Sequence, residues 1–157
     1  MMDETLAYKL FGEWSNDHQA RGVYIEGDFA PQEEAEEWAE DLIGGMVAAM
    51  AHGGVVVERG PIRVHDGKVF VELDGDDFMA RDIDGEGSRA SASLERILSR
   101  FATIAARRGC AQRWLYWYTG DPTGMAYFVA PEELVTSSGV DVRELGTGEQ
   151  WYEAQPD

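Results

Sequence analysis

The chain predicts an α+β fold: a mostly antiparallel sheet built of hairpins, with two main helices packed on one face. Three observations carry that expectation. Several short runs alternate apolar and polar residues with period two, two longer runs repeat apolar residues at three-to-four spacing, and tight-turn dipeptides such as Asp66-Gly67 separate neighbouring strands. Short connections of this kind join antiparallel neighbours, which is why hairpins are expected rather than crossovers. The 157 residues suit one domain spanning 1–157, long enough to bury roughly two-thirds of its unfolded surface.

The elements follow in order. Leu6, Tyr8 and Leu10 alternate over 6–14 and predict a strand, with 23–29 as its neighbour and the polar stretch 15–19 as the hairpin loop between them. Pro31 opens the first helix, because its missing N–H would have no intrahelical partner there, and Glu33, Glu34, Glu36 and Glu37 favour the positive end of the helix dipole. Ala35, Trp38, Leu42, Met46 and Met50 give that helix one apolar face through about His52, and Gly53-Gly54 ends it. Gly44 and Gly45 sit inside it at a cost of about 1 kcal/mol each against alanine, so they imply a close backbone approach or a bend.

Residues 55–73 predict a long hairpin with a bulge or bend at Gly60-Pro61 and a tight turn at Asp66-Gly67. Residues 74–87, rich in Gly and Asp, show no repeated period and are expected to be a mobile loop anchored by Phe78, Met79 and Ile83. A second helix is expected from Ser88 or Ser91 to Arg108, with a stripe through Leu94, Ile97, Leu98, Phe101, Ile104 and Ala105 and a stop at Gly109. An aromatic strand over 112–119, a type I turn at 121–124 and a return strand over 125–129 form the last hairpin. One helical turn at 131–134, a short strand at 140–143 and a loose tail at 146–157 complete the chain.

Charge is the feature that bears on function, and it is sorted along the chain. Lys and Arg number 6 against 21 acids over 1–87, 6 against 1 over 88–113, and 1 against 8 over 114–157, for a net charge of −17. A molecule this acidic repels nucleic acid and anionic membrane, so neither is expected as a direct partner. Arginine outnumbers lysine, with Lys9 and Lys68 the only lysines; GC-rich coding or a halophilic host would each produce that bias. The longest apolar run, around 46–51, is far shorter than the roughly 20 residues of a membrane span. A single cysteine, Cys110, and the lack of a basic-then-apolar leader point to the cytoplasm.

Chemistry-bearing motifs are few. Arg89, Arg96, Arg100 and Arg107 fall within about 40° of one another on the second helix. That stripe either contacts phosphate or carboxylate ligands or is matched internally by Glu33, Glu37 and Glu40 of the first helix. Asp82, Asp84 and Glu86 at positions one, three and five, with Gly87 at position six, imitate the front half of a calcium loop, yet Ser93 stands where a bidentate Glu is needed, leaving a weak calcium candidate. His18, His52 and His65 lack the close spacing of a zinc site, and Cys110 lacks a partner base. No cofactor and no catalytic residue are indicated, so an enzyme is not the leading expectation.

The strand Trp114-Leu115-Tyr116-Trp117-Tyr118 is aromatic or apolar on both faces, so one face must be covered by the chain, by another copy or by a partner. Taken together, these features predict an acidic interaction module that binds a basic protein, such as a nucleic-acid-binding protein whose groove it occupies by mimicry. Inhibitors and immunity or antidefence proteins of phages and mobile elements work in this manner. The expected contact residues are Glu33, Glu37, Glu40 and Asp41 on the first helix, Asp74, Asp76, Asp77, Asp82, Asp84 and Glu86 in the acidic loop, and Trp114, Tyr116 and Tyr118 on the aromatic strand. Residues 22–37, with Val23-Tyr24-Ile25-Glu26, Asp28 and Glu33-Glu34, slightly resemble plasmid antirestriction proteins, which mimic DNA; the resemblance covers about a tenth of the chain and includes no diagnostic motif. The alternatives are a viral or assembly subunit that forms a homo-oligomer through its aromatic sheet face, and an enzyme with an unrecognised site.

Overall fold

The computed structural model describes residues 20–26, 31–87, 89–118, 123–133 and 152–157. The fold is α+β, with two antiparallel sheets and two main helices. Strand β1 (Gly22–Glu26) leads through a 3-10 turn (Gln32–Glu34) to helix α1 (Ala35–His52). Strands β2 (Arg63–His65), β3 (Lys68–Leu73) and β4 (Asp76–Asp82) follow, then a four-residue helical turn (Ile83–Glu86) and helix α2 (Ser91–Arg107). Strands β5 (Arg113–Tyr118), β6 (Thr123–Val129) and β7 (Tyr152–Glu153) complete the set. One sheet has the order β1-β6-β5-β7 and the other β2-β3-β4. Both helices touch strands of both sheets. The expected strand over 6–14, its loop at 15–19, the first half of the type I turn at 121–124 and the strand at 140–143 lie outside the described residues.

Each helix ends where its glycine signal stands. At the end of α1, Gly54 adopts φ +90°, its N–H donates to the Ala51 carbonyl, and the Val55 N–H donates to that of Met50. That pair of bonds is a Schellman cap, and it satisfies carbonyls that the last turn leaves open. Gly109 closes α2 in the same left-handed region at φ +65°. Within α1, Gly45 permits a close approach: a Cβ there would lie 2.5 Å from Val23 Cγ2 of β1. The helix runs unbroken through both glycines.

Residues 74–87 are not the mobile loop their composition suggests. Asp74 and Gly75 take φ +49° and +86°, a two-residue turn of the type that joins right-twisted strands, and β4 pairs back along β3. Phe78 and Ala80 are then buried in the core. A bulge interrupts the pairing, Val69 facing Arg81 while Phe70 faces Met79. Alternation alone would turn Arg81 outward; the extra residue turns it inward, and its side chain is 0% exposed. Its guanidinium lies 5.3 Å over the Trp38 ring of α1 and donates from Nη2 to the Gly87 carbonyl at 2.7 Å. Burial holds its pKa below the ordinary arginine range, a shift that Glu86 opposes.

Of the loose tail expected over 146–157, residues 146–151 lie outside the described residues and 152–157 are tied down. Residues of β7 pair with Leu115 and Tyr116 of β5, and the Ala154 N–H donates to the Trp114 carbonyl. Asp157 then accepts hydrogen bonds from the Thr103 hydroxyl and, at 2.9 Å, from Arg100 Nε of α2. The core gathers Ile43, Met46 and Met50 of α1, Ile97 and Phe101 of α2, Val69 and Val71 of β3, and Trp114 and Phe128 of the larger sheet into one cluster.

Candidate interaction surface

The tertiary structure divides the predicted contact residues into acids matched by the chain's own arginines and acids that are not. Asp74, Asp76, Asp77 and Glu86 of the hairpin β3-β4 and the turn after it belong to the first class. Asp74 pairs with Arg108 at 2.8 Å and accepts from the Glu58 N–H at 3.0 Å. Asp76 pairs with Arg107 at 3.1 Å, and Asp77 pairs with Arg63. Glu86 accepts from Arg96 at 2.6 Å and from the Ser93 hydroxyl. Asp82 caps the turn that follows it by accepting from the Gly85 N–H at 3.0 Å, while Asp84 is exposed.

These pairings correct two expectations. The arginine stripe is matched internally, but by Glu86, Asp76 and Asp157 rather than by Glu33, Glu37 and Glu40, because the stripe faces the hairpin and the end of the chain. Arg89 at its start is exposed. The calcium candidate does not converge either: Asp82 and Glu86 are turned to the Gly85 N–H and to Arg96, and among the described residues no three His, Cys, Asp or Glu side chains could hold a metal ion.

The acids of the second class stand at the start of α1. Glu33, Glu36, Glu37 and Glu40 line one groove of 620 Å³ whose opposite wall is Arg59, Pro61 and Ile62. Glu36, Glu37 and Glu40, at i, i+1 and i+4 in the first turns of α1, are joined in the groove by Glu33 from the 3-10 turn before it, and the helix dipole favours negative charge in that first turn. Arg59 is already engaged: its Nη1 and Nη2 donate to the two Glu40 oxygens at 2.9 and 2.7 Å. That fork is the leading cause of a Glu40 carboxyl pKa below its ordinary value. Glu33, Glu36, Glu37 and Asp41 are exposed and form no ion pair among the described residues.

The aromatic strand is mostly covered by the chain itself. Trp114 is 1% exposed, edge-on to Phe101 at 6.2 Å and tilted on Phe128 at 5.4 Å, so it is a core residue and not a contact anchor. Leu115, on the other face, is as deeply buried. Tyr116 is half-buried and stacks on Tyr152 at 5.4 Å. The side chain of Tyr118 lies outside the described residues. Cys110 is half-buried, its thiol donating to the Ala105 carbonyl, and among the described residues no helix is long and apolar enough to cross a membrane.

Sequence reasoning found three of the four groove carboxylates and missed Glu36, which the same helical spacing would have added. It also missed Arg59, Pro61 and Ile62, whose place opposite α1 follows from how the sheets and helices pack and has no local signal. Comparison with protein-family models, with curated proteins and with solved structures finds no match to this chain.

Proposed function

We propose that this protein is a non-enzymatic, cytoplasmic interaction module that binds a basic protein surface through the groove at the start of α1. The observation that carries the reading is the contrast between the two classes of acid. On the hairpin each of Asp74, Asp76 and Asp77 meets an arginine of the same chain, whereas Glu33, Glu36 and Glu37 crowd one groove whose only cation among the described residues is already bridged to Glu40. Like charges held together cost stability, and a cationic partner relieves that cost on binding.

The net charge of −17 steers such a partner from a distance and discourages anionic ones. A protein that normally grips phosphates is the best-matched partner class, since its lysines and arginines accept carboxylates in the same geometry. An inhibitor or immunity-type protein acting by nucleic-acid mimicry fits that chemistry. Pro61 and Ile62 give the groove one apolar wall for the stems of those side chains.

Capture from a lysate of the native host tests the reading, with wild type and the double variant E33K/E37K as baits. A protein retained by wild type, released by raised salt and lost with E33K/E37K is the expected result. Retention of the same proteins by both baits, or retention indifferent to salt, would rule out the groove as the binding surface.

A further inference from the structure

A second, smaller cleft lies between α2 and the β5-β7 pair, well separated in sequence from the groove just described. Glu95, Leu98 and Ser99 of α2, Tyr116 of β5, and Glu153 and Ala154 at the end of the chain line its 260 Å³. We propose that this cleft is a binding site for one organic cation, an alkylammonium or guanidinium group, held over the Tyr116 ring between the carboxylates of Glu95 and Glu153.

Three features point to that class of ligand. The first is an aromatic wall. Tyr116 stacks on Tyr152 with the ring planes 28° apart, so the ring is held in place, and a tyrosine face attracts a cation within about 6 Å. The second is an apolar floor of Leu98 and Ala154, 2% and 7% exposed, which excludes water from part of the contact and strengthens the charge interaction.

The third is negative charge supplied from two separate elements. Glu95 comes from α2 and Glu153 from β7; burial, reinforced by the Glu95 carboxylate, pushes the Tyr116 phenol above its ordinary range, so that group stays a neutral hydroxyl at physiological pH. Arg113 approaches Glu153 only to 3.7 Å, and both side chains are nearly half exposed, so solvent screens the pair and a better-placed cation displaces it. An anion would be repelled here, and a neutral aliphatic group would desolvate two carboxylates without replacing their water contacts.

Size narrows the ligand further. The volume falls below the roughly 300 Å³ at which pockets for drug-sized molecules begin, so the occupant is the end of an arginine or lysine side chain or a small free amine. The shared chemistry is a single cationic head with an aliphatic stem.

NMR titration of the full chain decides the matter, following the ring protons of Tyr116 and Tyr152 and the amides of Ser99 and Ala154. The probes are N-acetyl-arginine amide, N-acetyl-lysine amide, putrescine, and N-acetyl-citrulline amide as the uncharged counterpart of arginine. Saturable shifts confined to these residues are expected with the cations, with a Kd on the order of 1 mM, and none with citrulline. The variant E95Q/E153Q should bind at least tenfold more weakly, whereas E33K/E37K should bind as wild type does, which separates this site from the groove on α1. Tighter binding of putrescine assigns the site to free amines, and tighter binding of the blocked amino acids assigns it to a protein side chain. Equal shifts with citrulline, shifts that never saturate, or affinity unchanged in E95Q/E153Q would overturn the proposal.

Discussion

Adding one methyl group at Gly44 should stabilise the fold and adding one at Gly45 should not, although the two positions are neighbours on α1. Each alanine removes the conformational penalty of a helical glycine, a gain of about 1 kcal/mol. At Gly44 the new Cβ meets Arg59 Nη1 at 3.7 Å and Glu40 Oε1 at 3.8 Å, both ordinary contacts, so the gain survives. At Gly45 the Cβ would sit 2.5 Å from Val23 Cγ2 and 3.5 Å from Val23 Cβ. Carbon atoms pack best at about 3.5–4.0 Å, so the overlap is roughly 1 Å. Valine is stiff about χ1 and cannot swing clear, so α1 must lift from β1 or Val23 must leave its rotamer.

Overpacking of this kind costs about 1–3 kcal/mol, which offsets or exceeds the propensity gain. The difference between G45A and G44A is the cleaner quantity, because the propensity change cancels and only the clash remains. For a chain of this length each kcal/mol shifts Tm by about 2–4 °C, so G45A should melt at least about 2 °C, and as much as about 12 °C, below G44A. Thermal unfolding followed by circular dichroism reads this directly. Placing G45A in a V23A background removes the obstructing methyl and should restore the gain, a coupling that a double-mutant cycle measures. Equal melting temperatures for the two single variants, or no relief from V23A, would refute the close contact between α1 and β1.

Three further outcomes follow from the charges. Desolvation pulls the Asp157 carboxyl up, but the Thr103 hydroxyl and Arg100 outweigh it and leave the pKa below its ordinary value. A carboxyl shifted this way stabilises the fold above its unfolded pKa and loses that contribution as pH falls through the folded value. D157N should therefore cost about 1 kcal/mol near neutral pH, and denaturant titrations should show the gap from wild type closing as the solution is acidified below the ordinary aspartate range. R81A removes the buried cation from Trp38 and leaves the Gly87 carbonyl without that donor, so urea unfolding should register a loss of about 2–4 kcal/mol. R107A is the counterexample: Arg107 and Asp76 are both more than half exposed, and the same assay should detect a change below about 0.5 kcal/mol.

The sequence by itself determined the elements whose signals are local. Both helices, their glycine stops, the Asp66-Gly67 hairpin and the aromatic hairpin are all written in spacing and turn chemistry, and so is the acidic face of α1. Asp74-Gly75 carried the same turn signal as Asp66-Gly67; the surrounding aspartates hid a strand whose buried apolar residues are Phe78 and Ala80. Tertiary structure alone decided which charges matter. A bulge in β4 turned Arg81 into the core, the end of the chain supplied Asp157 to the arginine stripe, and the segment carrying Arg59, Pro61 and Ile62 became the far wall of the groove. Helix and turn signals act over a few residues and are readable one segment at a time, whereas neutralisation of a carboxylate depends on which distant cation the folded chain brings within about 4 Å of it.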